Sequence, residues 1–250
     1  MNYALRTEAL SKNFGGFLAT NQVDLNVAAG ARHALIGPNG AGKTTLINLL
    51  TGFFPPSKGR VYLKGSEITS MGQHQRARAG LVRTFQINQL FADMTVLEST
   101  AMVISERLGH GWKFWRAAAS YAPVMEEAQA LLATLRLCDV AGQRTADLAY
   151  GKQRLVEICL ALAMKPQVLL LDEPAAGVPT GESRELFETI AALPREVTVV
   201  LVEHDMDLVF RFADRITVLV NGAILVEDTP QAIASHPLVK QVYLGSTEHA

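Results

Sequence analysis

Cysteine is scarce in this 250-residue sequence, which contains only Cys138 and Cys159. Two thiols are too few for the disulfide framework of a small secreted scaffold, and they fit a reducing compartment. Both lie in apolar patterns with helical spacing. We therefore predict two buried, inert thiols rather than a disulfide or a metal site.

Long apolar stretches are also missing. The longest runs, such as VTVVLV at residues 197–202, have the length of a strand and fall far short of the roughly 20 residues that a membrane-spanning helix needs. The opening residues MNYALRTEALSK lack the apolar centre of a signal peptide. These absences predict a soluble, cytoplasmic protein, which can still dock on a membrane protein.

Neither sign of charge dominates, because 23 basic residues face 24 acidic ones for a net charge of −1. This balance gives no electrostatic case for nucleic acid as the main partner. Hydrophobic residues make up 49% of the chain, enough for a sizeable core. No internal repeat or low-complexity tract interrupts the sequence.

Strand and helix patterns alternate in the first and last thirds of the chain. ARHALIG (31–37), RVYLKG (60–65), VLLLDE (168–173), VTVVLVE (197–203) and RITVLV (215–220) have the pattern of strands, and the first third is mostly strands. TTLINLLTG and residues 182–193 and 204–213 are predicted helices, and about 95–165 is a helical middle. The pattern predicts an α/β fold with a parallel sheet covered on both faces and a helical insertion.

GPNGAGKT (37–44) matches G-x-x-x-x-G-K-[ST] between a strand and a helix. Gly37, Gly40 and Gly42 allow the backbone to turn its N–H groups inward as an anion nest, and the helix dipole faces the same ligand. Lys43 can reach the β- and γ-phosphates, and the Thr44 hydroxyl can ligate Mg²⁺. The alternative, a glycine-rich turn with an incidental lysine, does not explain eight matching residues in this setting.

Two carboxylates follow the buried strand VLLLDE. Asp172 is predicted to hold Mg²⁺, and Glu173 is predicted to polarise the attacking water as a general base. A strand that merely ends in polar caps would give the same local pattern, so the prediction depends on the phosphate loop.

With both motifs identified, the chain resembles the ATP-binding cassette (ABC) ATPases over nearly its whole length. LAYGKQR (148–154) stands where that family carries its signature loop, usually LSGGQ. Gln86 in RTFQ resembles the Q-loop glutamine, a ligand of metal and water. His204 in LVEHD resembles the switch histidine, and Phe14 in KNFGG resembles the aromatic that stacks on adenine. Taken alone, each has a plainer explanation as a loop amide, a residue at a helix start or a core aromatic.

The resemblance implies a P-loop NTPase fold with an N-terminal antiparallel β subdomain. It implies one ABC domain over residues 1–250, with a nucleotide-binding core at 1–86 and 166–250 and a helical subdomain at 87–165. The implied ATP-binding residues are Phe14, Gly37, Pro38, Asn39, Gly40, Ala41, Gly42, Lys43, Thr44 and Thr45. The implied catalytic residues are Lys43, Gln86, Glu173 and His204, the metal ligands are Thr44, Gln86 and Asp172, and the signature loop is Leu148, Ala149, Tyr150, Gly151 and Lys152.

Within the family, three segments resemble the ATPase subunits of branched-chain amino-acid importers and related urea or amide importers. These segments are FGGFLATNQVDLNV, RTFQINQLFADMTVLES and LLLDEPAAGV. RLGHGWKFWRAAASYAP (107–123) fills the place of that subgroup's extended segment. The implied function is ATP hydrolysis that energises uptake at the cytoplasmic face of the inner membrane. The implied partners are a second ATPase subunit, in a heterodimer or a homodimer, two membrane permeases and, indirectly, a solute-binding protein.

Two positions depart from the family pattern. Ala149 replaces the signature serine that donates to the γ-phosphate held by the opposite subunit, and Lys152 adds a charge nearby. Pro179 stands where the D-loop usually has a polar residue. Because importers of this kind typically pair two different ATPase subunits, the resemblance implies a heterodimer. The Ala149 departure then predicts unequal sites, in which the partner's ATP site is the weaker one, and Pro179 is expected to alter contacts between the subunits.

Other classes of protein carry the same phosphate loop. An ATPase of another ABC transporter, such as a lipopolysaccharide exporter, is disfavoured by the aromatic segment after the Q-loop. A soluble ABC protein acting on ribosomes or DNA usually has two cassettes or long coiled-coil insertions. A nucleotide kinase would leave Gln86, the signature region and His204 unexplained.

Overall fold

The computed structural model describes residues 2–84, 92–109 and 122–244. The chain forms two compact units. The first unit comprises Met1–Leu81, Gln167–Glu173 and Arg195–Ala250, and the second comprises Val82–Pro166 and Pro174–Pro194. Residues 174–194 thus group with the second unit, whereas the sequence resemblance assigned them to the nucleotide-binding core. The domain boundaries inferred from the sequence stay a prediction.

The strands are β1 (Tyr3–Phe14), β2 (Phe17–Val23), β3 (Asn26–Ala28), β4 (Arg32–Ile36), β5 (Lys58–Leu63), β6 (Ser66–Glu67), β7 (Leu81–Arg83), β8 (Val168–Asp172), β9 (Thr198–Val202), β10 (Arg215–Val220) and β11 (Ala223–Asp228). The helices are α1 (Lys43–Thr51), α2 (Gln73–Arg78), α3 (Val96–Arg107), α4 (Ala122–Thr134), α5 (Tyr150–Ala163), α6 (Thr180–Ala191), α7 (Met206–Phe212), α8 (Pro230–Ser235) and α9 (Pro237–Leu244).

The first unit is built around a mainly parallel sheet in the order β11-β10-β4-β9-β8. The pairs β10–β4, β4–β9 and β9–β8 are parallel, and β11 pairs antiparallel with β10. The carboxyl ends of β4, β8 and β9 therefore meet at one edge, which is where open α/β sheets place their ligand sites. The predicted α/β fold with a parallel sheet is confirmed.

Both faces of this sheet are covered, as its unbroken apolar strands predict. Leu35 of β4 packs into a cluster with α1 residues such as Leu46 and Leu50. Its neighbours Ala34 and Ile36 point to the opposite face, in a cluster with apolar residues of α7, α8 and α9. The alternation of side chains along one strand thus serves two cores.

An antiparallel sheet also belongs to the first unit, in the order β2-β1-β5-β6 with β3 paired to β1. Its β1 residues Leu5 and Leu10 and its β5 residue Val61 join the cluster that contains Leu35. The sheet is therefore packed onto the phosphate-loop helix side of the same core.

Helices α3, α4, α5 and α6 belong to the second unit. Thr95 begins α3 with a capping box, accepting from Glu98 N–H at 3.2 Å while the Glu98 carboxylate accepts from Thr95 N–H at 2.9 Å. Ile104, Val124, Ala128 and Ala163 form a buried cluster between α3, α4 and α5. In the described ranges, the predicted helical middle of the chain is confirmed.

The prediction of two buried thiols is half wrong. Cys159 of α5 is fully buried, but Cys138 is exposed. Cys138 begins a short 3₁₀ turn, Cys138–Val140, after α4 has ended. Helical spacing no longer applies there, and the buried side chains of this stretch are Leu135, Leu137 and Val140 instead.

None of the helices in the described part of the chain combines the length and the apolar character that a bilayer crossing requires.

Candidate nucleotide site

The segment between β4 and α1 forms a loop with several backbone conformations that favour glycine. Gly37, Gly40 and Gly42 have φ values of 154°, 77° and 98°. A Cβ atom at Gly37 would lie 2.1 Å from the carbonyl oxygen of Leu219, and one at Gly42 would lie 2.4 Å from that of Ala19. The spacing of these glycines is therefore required by close backbone packing as well as by the turn.

Lys43 begins α1 and folds back over the loop. Its ammonium donates to the carbonyl oxygens of Gly37 at 2.7 Å and of Pro38 at 3.0 Å. Burial lowers the pKa of Lys43 below its usual value, while Glu173 and Asp172 act in the opposite direction. The cation is therefore held in the loop with both carboxylates in its electrostatic neighbourhood.

The other predicted loop residues lie around this cation. Ala41 is buried, and its carbonyl accepts from Gly222 N–H at 2.9 Å, whereas Thr44 in the first turn of α1 is exposed. The free N–H groups of a helix start and the helix dipole favour an anion at this place. Pro38, Asn39, Gly40 and Thr45 complete the predicted segment.

Glu173 and His204 meet at the carboxyl edge of the parallel sheet. His204 Nε2 lies 2.5 Å from Glu173 Oε1, and the two side chains are 47% and 41% exposed, so the pair is open to a ligand. His204 lies in the short segment between β9 and α7. Asp205 caps α7 by accepting from the N–H groups of Asp207 and Leu208, so the helix begins only at Met206. His204 therefore precedes the helix that the sequence placed at residues 204–213.

Glu173 has a left-handed backbone with φ of 49°, which costs about 1–3 kcal/mol for a residue other than glycine. Its N–H donates to Val202 O at 2.9 Å, which ties the end of β8 to the end of β9. His204 N–H in turn donates to the buried Glu203 carboxylate at 2.9 Å. Both side chains of the pair are thus aimed by backbone contacts.

Phe14 lies at the end of β1, where Gly15 and Gly16 make a tight hairpin turn to β2 with φ values of 53° and 104°. Its side chain belongs to the exposed large hydrophobics, at 46%. Its ring meets the half-buried Phe54 edge-on, with 5.4 Å between centroids. An exposed ring of this kind can stack on a planar base.

The predicted signature loop lies in the second unit and leads into α5. Ala149 is the N-cap and supplies no side-chain cap. Gly151 N–H donates instead to the Glu182 carboxylate of α6 at 2.9 Å. Residues of this loop and of α6 line a small cavity of about 150 Å³.

Two other side chains of the signature loop have partners within the second unit. The ammonium of Lys152 donates to the carbonyl oxygen of Arg136 at 2.9 Å. The Tyr150 hydroxyl accepts from Arg154 Nη2 at 2.6 Å, and the guanidinium lies over the Tyr150 ring at 4.9 Å. Gln86 lies outside the described residues, as do Trp112, Phe114, Trp115 and Tyr121 of the extended segment.

Residues 20–176 match the family model described as ABC transporter. The chain belongs to the ABC transporter family. Its fold is that of an ABC ATPase, as the sequence resemblance predicted, and this nucleotide-binding family explains why a phosphate loop and two strand-end carboxylates occur together.

Proteins with similar sequences are named as ATP-binding proteins of amino acid transport. The chain is 41% identical over 248 residues to the high-affinity branched-chain amino acid transport ATP-binding protein BraF of Pseudomonas aeruginosa, covering 96% of this chain and 97% of that protein. It is 40% identical over 250 residues to the corresponding protein LivG of Escherichia coli K12, with the same coverage. The ADP conformation of MJ1267, an ATP-binding cassette of an ABC transporter, has 33% sequence identity and a TM-score of 0.83 over 98% of this chain and 99% of that one.

Three contacts in this ABC ATPase chain were not predicted from its sequence. Lys12 lies beside Phe14, Glu203 beside His204 and Glu182 beside Gly151. The spacing of Lys12 and Phe14 on one strand was a usable signal, because side chains two residues apart share a face. The contact of Glu182 with Gly151 joins two helices 31 residues apart and had no local signal.

Proposed function

We propose that this chain binds ATP and hydrolyses it as one ATPase subunit of an ABC importer for branched-chain amino acids or similar small polar solutes. The family membership and the names of BraF and LivG support this solute class. The observation that carries the catalytic part is the contact between Glu173 and His204, beside the phosphate loop that holds Lys43.

The phosphate loop is proposed to receive the triphosphate. Its inward N–H groups and the start of α1 favour anions, and Lys43 can exchange its two carbonyl acceptors for phosphate oxygens. Phe14 is proposed to stack on the adenine.

Mg²⁺ is proposed to be held by Thr44, Asp172 and Gln86. The described ligands fit it by donor type, since a threonine hydroxyl and a carboxylate are the hard oxygen donors that this ion prefers. When bound, the ion would neutralise charge on the β- and γ-phosphate oxygens.

Glu173 is proposed to accept a proton from the attacking water. His204 is proposed to contact the γ-phosphate and to stabilise the charge that develops on it. The short contact between the two side chains supports this division, because the imidazole can orient the carboxylate while remaining accessible.

The signature loop is proposed to serve the ATP of a second ATPase subunit, with two permeases in the membrane and a solute-binding protein outside. Ala149 lacks the hydroxyl that would donate to that γ-phosphate, a loss of about 1.5–3 kcal/mol. Lys152 does not offset this loss in the described conformation, because its ammonium is bound to Arg136. We therefore propose a heterodimer in which the partner's ATP site is the weaker one, located at the cytoplasmic face of the membrane.

The decisive variant is Glu173→Gln, which keeps the shape and removes the base. ATP affinity measured by titration calorimetry should be retained, while phosphate release should fall by at least a hundredfold. Glu196→Gln, the same change at an exposed position of the first unit, is the matched control. Rapid turnover by Glu173→Gln would remove Glu173 from the role of base.

The solute class is tested separately by uptake. Cells in which this chain is replaced by its Lys43→Ala variant should lose energised uptake of labelled leucine, isoleucine and valine. Unchanged uptake of all three, with ATP hydrolysis abolished, would refute the proposed solutes and leave the ATPase activity standing.

A further inference from the structure

We propose that Lys12 is a positioning residue for the nucleotide base: it holds the ring of Phe14 in place and ties it to the turn that follows the phosphate-loop helix. The proposal rests on the proposed role of Phe14 as the adenine platform. It adds a residue that does not itself contact the nucleotide.

The ammonium of Lys12 lies over two aromatic rings. Its Nζ is 5.2 Å from the centroid of Phe14 and 5.0 Å from that of Phe54. These distances fall within the range of about 6 Å at which a cation is attracted to the face of an aromatic ring. Because the two rings meet edge-on at 89°, one cation restrains both.

The same ammonium is anchored to the backbone of the turn at 53–57. It donates to the carbonyl oxygen of Pro55 at 2.7 Å. Two further bonds join the strand to this turn: Asn13 N–H donates to Ser57 Oγ at 3.1 Å, and Ser57 N–H donates to Ser11 O at 2.8 Å. The end of β1 is therefore fixed to the turn by side-chain and main-chain contacts.

This turn begins directly after Gly52, which ends α1. Helix α1 starts at the phosphate loop, and Phe54 packs against the buried cluster that contains Leu46 and Leu50. The platform for the base and the loop for the phosphates are thus held at a fixed separation through one short turn. Lys12 is the side chain that joins the exposed ring to this turn.

Phe14 needs such support because it lies next to an irregular, glycine-containing hairpin. The β1–β2 register shifts on both sides of Lys12, and Gly15 and Gly16 follow Phe14 directly. A half-exposed ring at this place has few other restraints on its rotamer. The cation lies over the Phe14 ring, and the exposure of this side chain leaves ring surface for a base.

The test compares two ligands that share a triphosphate but differ in the base. Affinities of the full chain for ATP and for inorganic tripolyphosphate are measured with Mg²⁺ for the parent, Lys12→Met and Lys12→Arg. Lys12→Met should weaken ATP binding by about tenfold and leave tripolyphosphate binding unchanged, and Lys12→Arg should stay close to the parent. Lys240→Met, at an exposed position of α9, is the matched control.

Phe14→Ala and Phe54→Leu complete the series. Phe14→Ala should weaken ATP binding and leave tripolyphosphate binding unchanged. Phe54→Leu removes the second ring under the same ammonium and should weaken ATP binding selectively but to a smaller degree. This variant also replaces Lys12→Met in the test if Lys12→Met folds poorly. Equal weakening of both ligands by Lys12→Met, or no change in ATP binding while Phe14→Ala weakens it, overturns the role of Lys12 alone. If Phe14→Ala leaves the ratio of the two affinities unchanged, the adenine platform and this proposal fall together.

Discussion

Acidification should destabilise the first unit through His33, a histidine buried in β4. Its Nε2 lies 2.7 Å from Thr217 Oγ1, and Thr217 donates to the Glu227 carboxylate at 2.9 Å. Because Thr217 gives its single hydroxyl proton to Glu227, Nε2 must be the protonated nitrogen of a neutral ring. Burial lowers the pKa of His33 to about 4, with Glu227 opposing and Arg215 adding to the shift.

The size and the sign follow from this pKa. The gap between about 4 in the fold and 6.5 in the unfolded chain corresponds to about 3 kcal/mol. Since the folded pKa is the lower one, the unfolded state binds the proton more tightly. The contribution to stability is therefore complete above pH 6.5 and is lost as the pH falls from 6.5 to 4.

The assay is urea unfolding at pH 7, 6, 5 and 4.5 for the parent and for His33→Gln, whose amide can still donate to Thr217. Subtracting the two pH profiles cancels the carboxylates that titrate in both proteins. Between pH 7 and pH 4.5 the free energy of unfolding of the parent should fall by about 2 kcal/mol more than that of the variant, because part of the full difference is reached only below pH 4. His74→Gln, at an exposed position, is the control. Identical pH profiles for the parent and His33→Gln would refute the reasoning.

Two further predictions concern buried and exposed groups. Arg76→Leu should reduce the free energy of unfolding by about 3 kcal/mol in urea titrations. The reason is that the buried guanidinium donates to four carbonyl oxygens, those of Leu49, Leu50, Thr69 and Met71. A loss below about 0.5 kcal/mol would show that these carbonyls find other donors. A thiol reagent should modify one cysteine in the native protein and two after unfolding, since Cys138 is exposed whereas burial raises the pKa of Cys159 to about 12. Rapid native labelling of Cys159, identified by peptide mapping, would contradict the burial.

The sheet was predictable because its strands are buried on both faces. Runs such as VLLL in β8 and VVLV in β9 have no polar residue that would suit a solvated face. Strand β11 escaped prediction because its residues are half-buried and end in Glu227 and Asp228. The exposed Cys138 escaped because helical spacing continues in the letters after α4 has stopped.

The site was predictable in part for the same kind of reason. The phosphate loop is local, so its residues and their spacing define the turn. The contact between Glu173 and His204 spans 31 residues and was not predicted, because the family resemblance implied only a separate catalytic role for each residue. The contacts of Lys12 with the 53–57 turn span 43 residues and depend on how β1 packs, which no local pattern encodes.

The position of Lys43 has a consequence for how the loop meets a ligand. Its ammonium is already desolvated and coordinated by two neutral oxygens of the loop, so the long side chain is ordered before any anion arrives. An incoming phosphate would then swap one set of acceptors for a more negative set, and the rotamer entropy of the lysine would have been lost during folding rather than during association.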